Sequence, residues 1–460
     1  MNEAVIRMQS IELENFKNIQ NGSIEVPSYK QKIYYNGKSD IVGIYGQNGS
    51  GKTAIVEACR LFKMVASGEE FPDDIKNYIY MLENKAKLRF VFYIERIEEK
   101  FLVYYEFTIR KKENQIELFN EKLSYSKILR NIKKRKTTIV EYNNDSNDTA
   151  ILPKVRYNEL VKNNKENEFN LEVLKRFSTK NKTSLIFNED LIEIFKNDSK
   201  DIVHYNIISA VKHFAISNLF VITNEHTAPI SLNFIPLSFR MEDDYKVSSG
   251  DILVNLLGSS NVDKEKYDLV IKIINQLNIV LRTIIPTLKL EVIKLGNEIS
   301  KDGEELIRIE LMSIKNNVKI PLKYESEGIK KIISILSTLV SMFNNPSICL
   351  VVDELDAGIF EYLLGELLNI IEQRGKGQLI FTSHNLRALE MLDKESLVFS
   401  TTNPNNRFVR ITNIKSNNNL RNVYLRGIDL GGLNECIYEE TNSFEIAHAF
   451  RKAGDYFGKE

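Results

Sequence analysis

Eight consecutive residues, Gly46-Gln47-Asn48-Gly49-Ser50-Gly51-Lys52-Thr53, concentrate more potential chemistry than any other stretch of this 460-residue chain. The spacing Gly-x-x-x-x-Gly-Lys-Thr suits a loop that wraps phosphate groups. Its glycines leave backbone N–H groups room to curl around an anion with no Cβ in the way. A helix starting at the lysine adds partial positive charge at its N-terminus. Lys52 then reaches the outer phosphates, and the Thr53 hydroxyl serves as a Mg²⁺ ligand. Gly46, Asn48, Gly49, Ser50, Gly51, Lys52 and Thr53 are the candidate nucleotide-binding residues, for ATP with Mg²⁺.

A second cluster lies three hundred positions on. Ile348-Cys349-Leu350-Val351-Val352 is an apolar run ending in Asp353-Glu354. An aspartate at a buried strand end is a suitable second metal ligand beside Thr53. A following glutamate, Glu354, is a candidate general base for a water attacking the terminal phosphate. Gln378-Leu379-Ile380-Phe381-Thr382 is another apolar run, closing on Ser383-His384. His384 is a candidate contact to the same phosphate or to the attacking water. His204, His213, His226 and His448 show no ligand spacing among themselves.

These groups can meet only if the strands before them lie side by side, with their C-terminal ends on one edge of a sheet. Asp40–Tyr45 reads as a short apolar strand feeding the glycine loop, with a helix from Ala54 to about Ala66. Residues 347–352 and 378–382 read as buried strands, 324–343 and 360–373 as helices. That rhythm predicts a parallel sheet with helices on its faces. Residues 6–26 read as two alternating strands with a turn near Asn21-Gly22, and 87–126 as an aromatic-rich strand meander. Segments of 155–290 read as helical, including 204–220 and 251–284. The fold class expected is α/β, a mixed sheet plus an antiparallel N-terminal sheet with a mainly helical insertion. The expected division is an N-terminal lobe over 1–150, the insertion over 151–300, a C-terminal lobe over 301–410, and an extension over 411–460.

Composition narrows the function. Lys+Arg and Asp+Glu both number 62, so the formal charge is zero, which excludes a generally basic nucleic-acid binder. A local basic run remains at Lys127–Lys136, where DNA contact and a solvated face are both open readings. Three scattered cysteines form no Cys-x-x-Cys pair, so neither a zinc knuckle nor a disulfide framework is expected. No apolar run reaches the ~18–20 residues of a spanning helix. No signal-peptide core stands at the N-terminus, and a cytoplasmic protein without membrane contact is expected. No long heptad array appears, which argues against coiled-coil arms.

In the form Gly-x-Asn-Gly-Ser-Gly-Lys-Thr, together with IELENFKNI near the N-terminus, Asp353-Glu354 and Thr382-Ser383-His384, the chain resembles the ABC-type ATPases of the RecF and SMC group. Within it, the chain is most similar to stand-alone, OLD-like AAA family ATPases, many of which belong to bacterial anti-phage systems such as Septu and PARIS. The resemblance implies ATP hydrolysis and a homodimer or higher homo-oligomer closed around ATP. It places a trans-acting signature at Ser326 and Gly328, where Glu327 stands in the place of a family glycine. Ser326 read alone is also a plain helix N-cap. Lys17 matches a basic position near the nucleotide in some relatives. Leu355-Asp356-Ala357-Gly358 resembles the loop that crosses the dimer interface, with Phe360 near the place of a later aspartate. Gln115 is one candidate for the family's glutamine loop. Some relatives carry a fused nuclease, but the residues after His384 hold no Asp-x-Asp pair. The resemblance therefore implies a sensor or scaffold acting on a separate effector protein, with a RecF-like DNA repair ATPase as the alternative.

Overall fold

The computed structural model describes residues 4–457 apart from 97–98, 113–114, 131, 146–148, 199–201, 244–245, 300–301, 412–419, 430–434 and 439–441. The chain opens with β1 (Val5–Phe16) and β2 (Ile19–Glu25), a one-turn helix α1 (Pro27–Lys30), then β3 (Asp40–Tyr45) and α2 (Lys52–Ser67). The meander follows as β4 (Lys85–Arg96), β5 (Glu99–Lys112) and β6 (Gln115–Leu129), with β7 (Ile132–Lys133) and β8 (Thr137–Asn143) at its far side. Helices α3 (Lys154–Asn163), α4 (Glu166–Asn181), α5 (Glu189–Asn197) and α6 (Ile202–His213) come next. Then come β9 (Leu219–Ile222), α7 (Asn224–Ser231), β10 (Phe234–Asp243), β11 (Lys246–Asn255), β12 (Ser260–Val262) and α8 (Lys264–Ile284). The antiparallel pair β13 (Leu288–Ile299) and β14 (Glu305–Lys315) precedes β15 (Val318–Pro321) and α9 (Glu327–Asn344). The chain continues through β16 (Cys349–Val352), α10 (Glu361–Arg374), β17 (Gln378–Thr382) and α11 (Ala388–Met391). It ends with β18 (Leu397–Ser400), β19 (Phe408–Val409), α12 (Leu420–Asp429) and α13 (Ser443–Phe457).

The α/β class expected is the one observed. A six-stranded sheet runs β19-β18-β3-β17-β16-β9, parallel but for β19, beside a seven-stranded antiparallel sheet built on β2-β1-β4-β5-β6. Side chains of a strand alternate between faces, and here the alternation divides two cores. Val42, Ile44, Cys349, Val351, Ile380 and Val398 face the antiparallel sheet and α2. Ile41, Tyr45, Leu350, Val352, Leu379, Phe381, Leu397 and Phe399 face α9 and α10. Burial on both faces explains why these strands read as unbroken apolar runs.

Side chains stitch the two sheets together. The Gln378 amide accepts from Met8 N–H and donates to Met8 C=O, both at 2.7 Å, where β1 shifts register between Met8 and Ser10. Arg7, fully buried, donates to the carbonyls of Pro346 and Lys376 and to Asp40 at 2.7 Å. Such a pair is costly to bury, and Ser28 supports its carboxylate by donating twice to Asp40, from its N–H and its hydroxyl. Glu121, also fully buried, receives bonds from Tyr105, Ser184 and Leu185, so the helical segment is latched to the meander. Burial raises the Glu121 pKa.

Three sequence expectations need correction. The β1–β2 turn falls at Lys17-Asn18, not at Asn21-Gly22. Gly22 lies within β2 opposite Leu13, and a Cβ there would come within 2.9 Å of the Phe408 ring. Residues 251–255 are strand, not helix: Ile252 and Val254 alternate inward while β11 pairs with β10. The helix begins only after Asp263, whose carboxylate caps Lys266 N–H. The helix expected over 204–220 ends at His213, runs through a π turn, and becomes β9, an edge strand of the central sheet. Residues 151–300 hold six helices, α3 to α8, together with the strands β9 to β13. Within the expected 411–460 extension, 412–419, 430–434, 439–441 and 458–460 lie outside the described residues, and Tyr424 of α12 stacks on Phe399. Among the described residues no helix is long and apolar enough to cross a membrane.

Candidate nucleotide-binding cleft

β3 ends at Tyr45 and α2 begins at Lys52, so the glycine loop is the whole connection between strand and helix. Its turns run through positive φ at Gly46 (154°), Gly49 (79°) and Gly51 (90°). At Gly51 a side chain would also press within 2.9 Å of Asn18 Oδ1. The Ser50 hydroxyl donates to Gln47 C=O at 2.6 Å and touches the Ser400 hydroxyl, which ties the loop to the end of β18. Lys52 is 7% exposed and donates to the carbonyls of Gly46 (2.8 Å) and Gln47 (3.0 Å). Burial lowers its pKa, and Asp353, Glu354 and Asp356 oppose that shift.

The acidic corner stands opposite. Parallel pairing brings the C-terminal ends of β3, β16 and β17 to one edge of the sheet. Asp353 is buried, and Thr53 donates to it at 3.3 Å. The Thr382 hydroxyl donates to the same Asp353 oxygen at 2.6 Å and accepts Glu354 N–H at 2.7 Å. Asn224, at the start of α7, reaches the other Asp353 oxygen at 3.5 Å. Glu354 adopts the left-handed conformation, φ 49°. Asp356 accepts His384 N–H at 3.1 Å, linking the loop after Glu354 to the loop after β17.

Loop and corner share one cleft of about 880 Å³, large enough for a nucleotide, lined by Asn48, Gly49, Gly51, Lys52, Thr53, Asp353, Glu354 and His384. Of the expected loop residues, Gly46 and Ser50 do not line it, while the others meet Asp353, Glu354 and His384 there. Lys17 lines the cleft too, its ammonium 4.5 Å from the Tyr78 ring centroid. Ser326 and Gly328 do not line it. Ser326 is the N-cap of α9, its hydroxyl accepting Ile329 N–H at 3.3 Å, and Gly328 abuts Gly358. Gln115 opens β6 on an exposed position and is not part of the cleft.

Several cleft residues were not legible beforehand. Arg407 comes from the strap before β19 and is 6% exposed. It donates to Thr401 and Asn18 carbonyls, each at 2.6 Å, while Asn18 bonds Gly49 C=O. Desolvation lowers the Arg407 pKa. Asn224 likewise acts on Asp353 from elsewhere in the chain, and only its position at a helix start marks it. Thr382 and Asp356 lie within the quoted motifs, but their bonds to Asp353, Glu354 and His384 are not legible from spacing.

The donor chemistry suits magnesium. Thr53 and Asp353 present hard oxygens within hydrogen-bond distance of one another beside the phosphate loop. Among the described residues no group of three or more His, Cys, Asp or Glu converges as a separate metal cluster.

No curated protein matches the chain. Similar solved structures include an Smc head bound to the C-terminal winged-helix domain of ScpA, at 12% identity and TM-score 0.39, covering 88% of this chain and 98% of that one. The SMC head domain from Thermotoga maritima is 13% identical, with TM-score 0.36 and coverage of 88% and 99%. RecF with ATP, the recombination mediator of the RecFOR pathway, is 14% identical, with TM-score 0.34 and coverage of 83% and 94%. The family described as AAA ATPase domain matches residues 7–387, a span that holds the glycine loop, the acidic corner and His384. The chain belongs to the AAA ATPase domain family.

Proposed function

We propose that the protein binds ATP with Mg²⁺ in this cleft, hydrolyses it to ADP and phosphate, and uses the cycle to close and open a homodimer. The observation that carries the reading is the convergence of Lys52, Thr53, Asp353, Glu354 and His384 on one cleft. The loop N–H groups and Lys52 hold the phosphates. The Glu354 carboxylate takes a proton from the attacking water. His384 steadies the terminal phosphate. Thr53 and Asp353 would hold Mg²⁺, which when bound neutralises charge on the outer phosphates. Ser326 and Gly328, outside the cleft of their own chain, serve the nucleotide of a second copy. Steady-state hydrolysis by wild type against Glu354→Gln tests the reading: equal rates would remove Glu354 from the reaction.

In the cell, the protein acts as a cytoplasmic sensor or scaffold that controls a separate effector, such as a nuclease, in anti-phage defence. The motif resemblance supports this role. Loss of plaque protection in the Lys52→Ala strain is the expected result, and a locus that gives no protection at all would overturn the role.

One observation favours the RecF-like alternative. Residues 132–136 are exposed on the edge of the antiparallel sheet and carry Lys133, Lys134, Arg135 and Lys136. The Lys133 and Lys136 ammoniums sit 5.0 and 4.4 Å from the Tyr104 ring centroid. Salt-dependent DNA binding that charge reversal at Lys133, Lys134 and Arg135 abolishes would support a DNA-directed role.

A further inference from the structure

The proposed base, Glu354, holds a backbone conformation that non-glycine residues seldom adopt, φ 49°. Such a residue persists only where its surroundings over-determine it. Two side chains from distant elements clamp this peptide. Thr382 of β17 accepts the Glu354 N–H at 2.7 Å. Lys331 of α9 donates from its ammonium to the Glu354 carbonyl. Ala357 N–H adds a bond to the same carbonyl at 3.0 Å, closing the turn.

Lys331 is 7% exposed, an unusual place for an ammonium. It stands one turn into α9, the helix that Ser326 caps. The same first turn meets the loop after Glu354 backbone to backbone: a Cβ on Gly328 would fall 1.8 Å from the Gly358 carbonyl oxygen. Gly358 itself has φ 76°, and a Cβ there would sit 2.9 Å from Gly328 Cα. No side chain cushions this contact, so a displacement of the α9 start passes directly to the 354–358 turn.

We infer that Lys331 is a positioning residue for hydrolysis: it pins the Glu354 carbonyl and so couples the start of α9 to the aim of the Glu354 carboxylate. The inference rests on the proposed role of Glu354. Burial lowers the Lys331 pKa against the pull of Asp356, Glu354 and Asp353, in keeping with an ammonium held there by its acceptor and its acidic neighbours. Nothing in the cleft lining includes Lys331, so its effect on the reaction passes through Glu354.

The test uses the full chain with Lys331→Met, which keeps length and removes the donor, and Lys331→Arg, which restores one. In Lys331→Met, kcat for ATP falls by about tenfold to hundredfold, the scale of a small misplacement of a reacting group, while ATP affinity stays within about twofold because the phosphate contacts are untouched. Hydrogen exchange of amides in 353–359 accelerates in Lys331→Met and recovers in Lys331→Arg, together with part of kcat. Wild-type kcat and wild-type exchange in Lys331→Met would overturn the inference. If Lys331→Met does not fold, Lys331→Gln, too short to reach the carbonyl, takes its place with the same expectations. The exchange arm needs no turnover. Equal rates in wild type and Glu354→Gln would refute the base while exchange still decides whether Lys331 holds the turn.

Discussion

The two walls of the cleft are built by different means. The glycine loop is local: its phosphate-facing groups belong to one run of eight residues between β3 and α2. The acidic corner is assembled from four elements: Asp353 and Glu354 follow β16, Thr382 ends β17, Lys331 comes from α9, and Asn224 opens α7. One wall depends on backbone freedom and a single lysine. The other depends on side chains that arrive from far along the chain and hold a non-glycine residue at φ 49°. Under the proposed function the contrast separates binding, assigned to the local wall, from turnover, assigned to the assembled wall.

That separation can be broken at either wall. The largest effect belongs to Glu354→Gln, for which hydrolysis falls about 10²–10⁴-fold, the usual worth of a positioned base. Nucleotide affinity measured by calorimetry stays near wild type. Lys52→Ala acts on the other quantity. Losing an ammonium whose charged hydrogen bonds contribute roughly 1.5–3 kcal/mol each weakens ATP binding about hundredfold, read by fluorescent-nucleotide titration. If Lys52→Ala kept its affinity and lost only turnover, the division between the walls would fail.

Thr382→Val sharpens the comparison, since it leaves shape nearly intact and removes the hydroxyl that serves both Asp353 and Glu354. Leaving a half-buried N–H without its acceptor costs about 1 kcal/mol of stability, the low end for such a loss, seen in urea unfolding. Turnover drops about tenfold through misplacement of the base, with affinity retained. The smallest change is Ser326→Ala. Loss of the N-cap costs about 1 kcal/mol, detectable as a lowered midpoint in the same unfolding assay. Ser326→Arg separates cap from interface: ATP-dependent dimerisation by light scattering disappears while ATP binding to the monomer persists.

The same local-versus-assembled distinction explains what the sequence disclosed. The glycine loop and the buried strands 349–352 and 378–382 were readable because their patterns are contiguous, and apolar runs on a doubly covered sheet follow from burial alone. Thr382 and Lys331 were not readable as clamps, because a threonine ending a strand and a lysine inside a helix are ordinary until the fold brings them to the Glu354 peptide. Residues 219–220 and 251–262 were misread as helix for a related reason. Leu219–Ile222 is four apolar residues long, too short for periodicity to separate strand from helix. Its identity depends on pairing with Cys349–Val352 more than a hundred positions away. The β1–β2 turn was misplaced because Gly22 serves contact with Phe408 and not a bend.

The Gln378 bond to Met8 spans 370 positions. Among the described residues β3, which carries the glycine loop, pairs with β17 and β18 and no other strand. During synthesis the loop strand therefore waits, without its sheet, until β17 and β18, more than three hundred positions on, have left the ribosome. Long-range pairing of this kind makes folding slow. It also sets an order of events: the antiparallel sheet, whose strands are near neighbours in sequence, can form during synthesis, while the nucleotide cleft comes into being last. A truncated chain that stops short of β17 lacks the strand and the threonine on which the acidic corner depends.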